Sequence, residues 1–209
     1  MENIGHLLDL YRLKKEDIRA KLDSFRAFKS KTKDDIFLEL CFCLLTPQSK
    51  ALAADKAMKQ LVQHGFPHNF DIRLSGKILK NSGVRFHKNK SACLSLARDR
   101  HMKNDLRFPI GQPIESREWL VDSIKGMGYK EASHFLRNIG YGEDLAILDR
   151  HILRNLEGLG VIEESPKSMT RRKYMEIEGR MREFASRLGI GLAELDLLLW
   201  SKETGFIFK

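Results

Sequence analysis

Hydrophobic residues recur at intervals of three and four along most of the chain, which is the spacing of one face of an α-helix. The clearest example lies within residues 170–188, where the apolar positions are Tyr174, Ile177, Met181, Phe184 and Leu188. The period-two alternation that is typical of half-buried strands is scarce. The pattern therefore predicts an all-α protein.

Glycine, proline and capping residues divide this pattern into separate helices. The predicted order begins with one or two short amphipathic helices in residues 1–29 and a polar link through residue 33. Further helices are predicted near residues 34–46, 49–63, 71–80, 86–102, 116–125, 130–139, 149–157, 170–188 and 192–200. Residues 103–115, which contain two prolines, are predicted to form a loop, and residues 201–209 a tail.

Composition narrows the range of functions. The chain has 209 residues, 42% of them hydrophobic and 31% charged, with a formal net charge of +9. This balance is ordinary for a globular protein, and the excess of positive charge favours a polyanionic partner such as nucleic acid. We find neither a signal peptide nor an apolar run of membrane-spanning length, so we expect a cytoplasmic protein with no membrane partner.

The cysteines and histidines do not predict a metal site. Cys41 and Cys43 lie in an apolar helix, where two-residue spacing points them to different faces, and Cys93 is alone. This set provides no disulfide framework. His64 and His68 are four residues apart, but a glycine and a proline lie between them, so they should not share a helix face.

The most informative stretch is residues 116–152. It predicts a helix capped by Ser116, a turn containing Gly126 and Gly128, a second helix opened by Lys130, and a further helix capped by Asp149. Backbone N–H groups at the start of a helix can bind a phosphate. An ordinary helical hairpin packed in a core would show the same glycines, so the turn alone does not decide between these interpretations.

The motifs KGMGYKEASHFLRNIG and AILDRHIL resemble the helix-hairpin-helix DNA glycosylases, the superfamily that includes endonuclease III. Within it, they are most similar to the archaeal-type 8-oxoguanine DNA glycosylase/lyases. The resemblance is dense over residues 116–155 and returns at the C-terminus. It implies two helical lobes, with a DNA- and base-binding cleft between them. Residues 31–138 would form a six-helix barrel-like lobe, and residues 1–30 and 139–209 the second lobe.

The resemblance also implies two catalytic residues. Lys130 would attack the sugar C1′, form a Schiff base and allow β-elimination, which cuts the strand 3′ to the lesion. The Asp149 carboxylate would stabilise the oxocarbenium-like transition state. Without the motif, Lys130 would be interpreted as a solvated charge or a phosphate contact, and Asp149 as a plain helix cap.

Base extrusion requires a wedge and a pocket. Phe86 and Trp200 are candidates to sandwich the flipped base, and Lys209 to recognise it through its ammonium or terminal carboxylate. Gln48 lies where relatives insert a side chain into the duplex. The local sequence TPQSKA departs from the family's usual TANxxA. The alternative for Gln48 is that it belongs to a turn that connects two helices and does not contact DNA. Core packing is the alternative for both aromatic residues.

We therefore predict a monomeric repair enzyme that acts on duplex DNA containing 8-oxoguanine or abasic sites. No cofactor is expected, because no cysteine after Cys93 could hold the iron–sulfur cluster of endonuclease III, although a structural monovalent cation could bind at the hairpin. Action on another oxidised base and a non-catalytic DNA-binding module remain alternatives. The candidate DNA contacts are Gln48, Gly126, Gly128, Arg85, His87, Lys88, Lys90 and Arg150.

Overall fold

A computed structural model describes residues 4–208, and this part of the chain contains ten α-helices, one 3₁₀ turn and no strand. The predicted all-α class is confirmed. The helices are α1 Ile4–Arg26, α2 Lys33–Leu45, α3 Ala51–Gln63, α4 Ile72–Asn81, α5 His87–Met102, α6 Pro113–Ser123, α7 Tyr129–Asn138, α8 Arg150–Gly158, α9 Arg171–Leu188 and α10 Leu192–Thr204. None of these described helices is long and apolar enough to cross a membrane.

The chain divides into two compact units. The central unit comprises residues 30–135, and the terminal unit comprises the described parts of residues 1–29 and 136–209. Helix α7 begins in the central unit and ends in the terminal unit. The sequence-based boundaries were residues 31 and 138.

In the central unit, α2 is the most apolar helix. Helices α2 and α4 each pack against both α3 and α5. Every residue of α2 from Leu40 to Leu45 is buried. Thr32 begins this helix through a capping box, in which its hydroxyl accepts from the Asp35 N–H and the Asp35 carboxylate accepts from the Thr32 N–H. The helix therefore begins slightly earlier than the sequence pattern predicted.

The terminal unit is assembled around α10, which contacts α1, α8 and α9. Its core includes a buried ion pair between Arg137 and Asp196. Gly140 ends α7 with φ +81°, and a Cβ there would lie 2.7 Å from the carbonyl oxygen of Phe25, so the close approach of α1 requires glycine.

Three predicted boundaries differ from the structure. Helix α1 is a single helix of 23 residues. Helix α6 begins at Pro113, because proline is well suited to the first helical position, and Ser116 is a buried residue inside the helix whose hydroxyl donates to the Pro109 carbonyl. Helix α10 continues four residues beyond Trp200 and ends at Gly205, which has φ +84°.

Candidate functional site

The hairpin turn of the central unit is shaped by one glycine. Gly126 has φ +90°, and a Cβ on it would lie 2.9 Å from the sulfur of Cys93. A side chain here would therefore combine an unfavourable backbone conformation with a steric clash. Leu120, Ile124 and Met127 are buried beside the turn and anchor it to the core. The sequence prediction of a glycine-dependent turn between two helices is confirmed.

Lys130 is the second residue of α7 and is partly buried. Its Nζ donates to Thr46 Oγ1 at 3.3 Å and lies 3.5 Å from Glu131 Oε1. The Thr46 hydroxyl in turn donates to the Cys43 carbonyl at 2.8 Å. These contacts hold the amine at the first turn of a helix, where it can act as a nucleophile once it is uncharged.

Glu131 is a neighbour of the lysine that the sequence analysis missed. Its carboxylate accepts from the Gly128 N–H at 3.3 Å, which is one of the N–H groups that we assigned to a phosphate. The signal in the sequence was an acidic residue three positions after the glycine, as in a capping box. A phosphate that used the Gly128 N–H would have to displace this carboxylate.

Asp149 caps α8 in the terminal unit, as predicted. Its Oδ1 accepts from the N–H groups of His151 at 2.8 Å and Ile152 at 2.9 Å. Within the part of the chain that the structure describes, Oδ2 receives no hydrogen bond. The cap therefore fixes the carboxylate while one oxygen stays available to face a developing positive charge.

The segment before Asp149 is held by two side chains of α9. The Tyr174 hydroxyl donates to the Ala146 carbonyl at 2.6 Å and accepts from the Leu148 N–H at 3.4 Å. The Glu178 carboxylate accepts from the Ala146 N–H at 2.9 Å. Sequence analysis treated Tyr174 only as a core position and did not identify Glu178, whose low exposure on an otherwise charged helix cannot be read from spacing alone.

Phe86 immediately precedes α5 in the central unit and adopts a left-handed conformation with φ +56°. The residue is 51% exposed, which is unusual for a large aromatic amino acid and consistent with a contact surface. The guanidinium of Arg85 lies 5.4 Å from the centre of this ring. Arg85 and Lys88 are exposed and His87 is half-buried, so all three side chains are at least partly accessible to a phosphate.

Gln48 is also exposed and has φ +52°. Only three described residues other than glycine have a positive φ, and both Gln48 and Phe86 are among them. Such conformations are uncommon and often mark functional sites. The structure thus gives both candidates an unusual backbone, which sequence analysis did not predict.

A side chain that binds phosphate should lie at the surface, but Lys90 is buried. Lys90 is only 7% exposed, and its Nζ donates to the carbonyls of Leu45 and Pro47 and to the hydroxyl of Ser49. The assignment of Lys90 as a phosphate contact was therefore wrong. Its position in a basic stretch of sequence concealed a structural role.

Trp200 lies in α10 of the terminal unit and is partly exposed. The Phe206 ring packs edge-on against it, with ring centres 5.4 Å apart. Arg150, the first residue of α8, is exposed. Lys209 lies outside the described residues. The candidate residues are therefore distributed over both units, with Lys130, Gln48 and Phe86 in one and Asp149 and Trp200 in the other.

The cysteines occupy packing positions in the central unit. Cys41 and Cys43 are buried, and burial raises the pKa of the Cys41 thiol well above its usual value, which disfavours the thiolate that metals bind. Over residues 4–208 there is no group of three or more histidine, cysteine or acidic side chains that could hold a metal ion.

A sequence model described as 8-oxoguanine DNA glycosylase matches residues 18–190. The chain belongs to this family. It is 44% identical to the 8-oxoguanine DNA glycosylase/AP lyase of Fusobacterium nucleatum over 215 aligned residues, covering 100% of this chain and 98% of the relative. It is 42% identical to the Methanocaldococcus jannaschii enzyme of the same name, covering 93% of both chains.

Solved structures agree with this assignment. The Methanocaldococcus jannaschii 8-oxoguanine glycosylase/lyase in complex with a 15mer DNA containing 8-oxoguanine matches with a TM-score of 0.88 at 37% identity, covering 98% of this chain and 100% of that one. The 8-oxoguanine DNA glycosylase of Thermotoga maritima matches with a TM-score of 0.88 at 31% identity, covering 98% and 97%. The similarity to this 8-oxoguanine DNA glycosylase family therefore extends over both units.

Proposed function

We propose that this protein removes 8-oxoguanine from duplex DNA and then cleaves the strand at the resulting abasic site. The observation that carries the proposal is that the family match spans residues 18–190 and so includes the segments that carry both Lys130 and Asp149. The positive net charge of +9 is consistent with a DNA partner. The enzyme would act as a monomer.

The reaction begins with attack of the neutral Lys130 amine on the sugar C1′. The bond between C1′ and the base nitrogen breaks, and its electron pair leaves with the base, which takes up a proton. Asp149 stabilises the positive charge that develops on the sugar as this bond lengthens. The lysine nitrogen then loses one proton, and the ring oxygen O4′ takes up a proton as the C1′–O4′ bond breaks. A protonated imine now joins Lys130 to C1′.

Strand cleavage follows from the same intermediate. Loss of a proton from C2′ supplies electrons that expel the 3′ phosphate oxygen, so the C3′–O bond breaks by β-elimination. Water then releases the lysine by hydrolysis of the imine. One lysine thus serves both the excision and the lyase steps.

Recognition requires the base to leave the stack. In this proposal Gln48 enters the duplex, Phe86 and Trp200 stack on the extruded purine, and Lys209 recognises it. The hairpin N–H groups at Gly126 and Gly128 contact the DNA backbone, the latter after a phosphate displaces the Glu131 carboxylate. The side chains that contact the DNA backbone are Arg85, His87, Lys88 and Arg150. No iron–sulfur cluster is required, because the chain contains only three cysteines, and the hairpin could hold a monovalent cation.

A panel of duplexes with a single lesion tests the proposal. Single-turnover excision should be fast on 8-oxoguanine and at least about tenfold slower, roughly 1.4 kcal/mol, on an oxidised pyrimidine, with no release of undamaged guanine. Faster release of the pyrimidine would favour the alternative substrate. Tight binding without release of any base would indicate a non-catalytic DNA-binding module.

Affinity for undamaged duplex should fall steeply with salt, because bound phosphates release counterions. If Arg85, Lys88 and Arg150 each contact one phosphate, affinity should fall about fortyfold between 50 and 200 mM salt. Lys88→Ala should reduce the slope of this dependence by about one unit. Lys77→Ala, which removes an exposed lysine of α4, is the matched control and should leave the slope unchanged. A salt-independent affinity would contradict the assigned contacts.

Lys209→Ala should impair excision of 8-oxoguanine more than cleavage at a preformed abasic site, because an abasic site has no base to recognise. Loss of a hydrogen bond to a charged group costs about 1.5–3 kcal/mol, which corresponds to a ten- to hundredfold slower excision. Single-turnover rates on the two substrates provide the measurement. Equal losses on both substrates would assign Lys209 to folding instead of recognition.

A further inference from the structure

Lys90 places a positive charge inside the central unit. Its ammonium donates to the Leu45 carbonyl at 2.8 Å, the Pro47 carbonyl at 2.6 Å and the Ser49 hydroxyl at 2.9 Å. An ammonium has three protons to donate, so all of its donors are used. The three acceptors belong to one short segment, residues 45–49, which connects α2 with α3.

This segment carries the exposed Gln48. The backbone reverses sharply here, with Gln48 at φ +52°, and the carbonyls of Leu45 and Pro47, which both precede Gln48, turn towards the same point. Converging carbonyl dipoles repel one another, and a left-handed conformation is unfavourable for a side chain other than glycine. A cation at the point of convergence offsets both effects, so Lys90 stabilises the conformation in which Gln48 projects outwards.

Ser49 extends the same network to a second segment. Its hydroxyl oxygen also accepts from the Arg85 N–H at 2.9 Å. Arg85 directly precedes Phe86, which has φ +56° and an exposed ring. The ammonium therefore supports two of the three exposed non-glycine residues with positive φ in the central unit, Gln48 and Phe86.

We propose that Lys90 is a positioning residue for base extrusion: by holding residues 45–49 and, through Ser49, the Arg85–Phe86 segment, it presents Gln48 to the duplex and Phe86 to the extruded base. This inference rests on the proposed function, because it concerns the same DNA site. Packing alone does not explain the lysine, since a methionine would fill the same space without the penalty of burying a charge.

The charge environment supports this assignment. Burial lowers the pKa of Lys90 to about 8, and the nearby Lys130 and Arg85 act in the same direction, while Glu131 and Cys93 oppose them. The ammonium is therefore retained at neutral pH and lost as the pH rises through about 8. The neutral amine has only two protons, so it can no longer donate to all three acceptors, and the positive charge that offsets the carbonyl dipoles is lost.

Lys90→Met tests the proposal, with Lys77→Met as a matched exposed control. Base extrusion is measured by the fluorescence of 2-aminopurine placed beside 8-oxoguanine in a duplex at saturating protein. Excision is measured in single turnover on 8-oxoguanine duplex, and Lys130 chemistry by cleavage of a single-stranded abasic oligonucleotide, in which no base pair has to be opened. Thermal unfolding reports on the fold of every variant.

We expect Lys90→Met to lower the fluorescence amplitude and slow duplex excision at least about tenfold. Cleavage of the single-stranded abasic substrate should fall by a clearly smaller factor, because the Lys130 amine keeps its place in α7 although its partner Thr46 lies in the segment that Lys90 holds. Wild-type fluorescence and excision in the variant would overturn the proposal. Equal losses on both substrates would also overturn it, because they would show a general structural role. Ser49→Ala, which removes one acceptor and keeps the charge, should give a smaller change of the same selectivity if Lys90→Met does not fold.

A pH series separates positioning from chemistry. In a Lys130→Gln background, which cannot react, the fluorescence amplitude should fall at alkaline pH as Lys90 loses its proton. The fall should occur above pH 8, because the charge of Lys130 no longer lowers the pKa of Lys90. Adding Lys90→Met should make the amplitude low and independent of pH, and an unchanged pH profile would contradict the proposal. If the wild-type protein extruded 8-oxoguanine but did not excise it, the proposed function would be contradicted. The fluorescence amplitudes would still decide whether Lys90 positions the residues that extrude the base.

Discussion

Lys130→Gln should abolish the covalent adduct that borohydride traps and lower strand cleavage by at least about a thousandfold, roughly 4 kcal/mol in activation free energy. The amide nitrogen of glutamine cannot form an imine with C1′, so the change removes the nucleophile itself. DNA binding should persist, because the backbone of the hairpin turn is unchanged. The measurement is single-turnover cleavage and trapping on 8-oxoguanine duplex.

The fold should tolerate this change. Glutamine has a similar helix propensity, and losing the single hydrogen bond to Thr46 should cost less than about 1.5 kcal/mol in the free energy of unfolding. Lys77→Gln is the control, because it makes the same substitution at an exposed position of α4. Trapping of Lys130→Gln at the wild-type yield would show that another amine attacks the sugar.

Asp149→Asn should slow excision of 8-oxoguanine by at least about a hundredfold, roughly 2.7 kcal/mol. A neutral amide stabilises an oxocarbenium-like sugar far less than a carboxylate does. The rate of cleavage at a preformed abasic site should fall less, because the ring-opened aldehyde of this site reacts with the lysine without forming an oxocarbenium-like sugar. Single-turnover rates on the two substrates measure this difference.

The matched control for Asp149 is Asp71→Asn. Asp71 is also the N-cap of its helix, and its carboxylate accepts from the Leu74 N–H at 2.6 Å. Asparagine and aspartate are nearly equivalent caps, so both variants should keep the wild-type stability within about 0.5 kcal/mol. Only Asp149→Asn should lose excision. If excision by Asp149→Asn stayed within about threefold of wild type, the carboxylate would be only a cap.

Local sequence signals predicted much of the fold correctly. The apolar spacing identified the helices, and the Asp149 cap and the Gly126 turn are features that neighbouring residues determine. Errors occurred where a competing local signal was overlooked. Pro113 begins α6, although Ser116 also suits a cap, and Thr32 begins α2 ahead of the acidic pair that follows it.

The supporting contacts of the site could not be predicted, because they join residues that are distant in sequence. Lys90 bonds to a segment more than forty residues before it, and Tyr174 holds the backbone 28 residues before it. A basic residue in a basic stretch gives no sign that it is buried. The positive φ angles of Gln48 and Phe86 also depend on such contacts, since neither residue type favours that conformation.

The most direct test of the central claim is to identify the residue that borohydride joins to DNA. Wild-type protein should be trapped on duplex containing 8-oxoguanine, digested with protease and analysed by mass spectrometry. The expected result is a single sugar adduct on the peptide that contains Lys130, formed with 8-oxoguanine duplex and absent with undamaged duplex. An adduct on another lysine or on the N-terminal amine, or release of 8-oxoguanine without any adduct, would contradict the account.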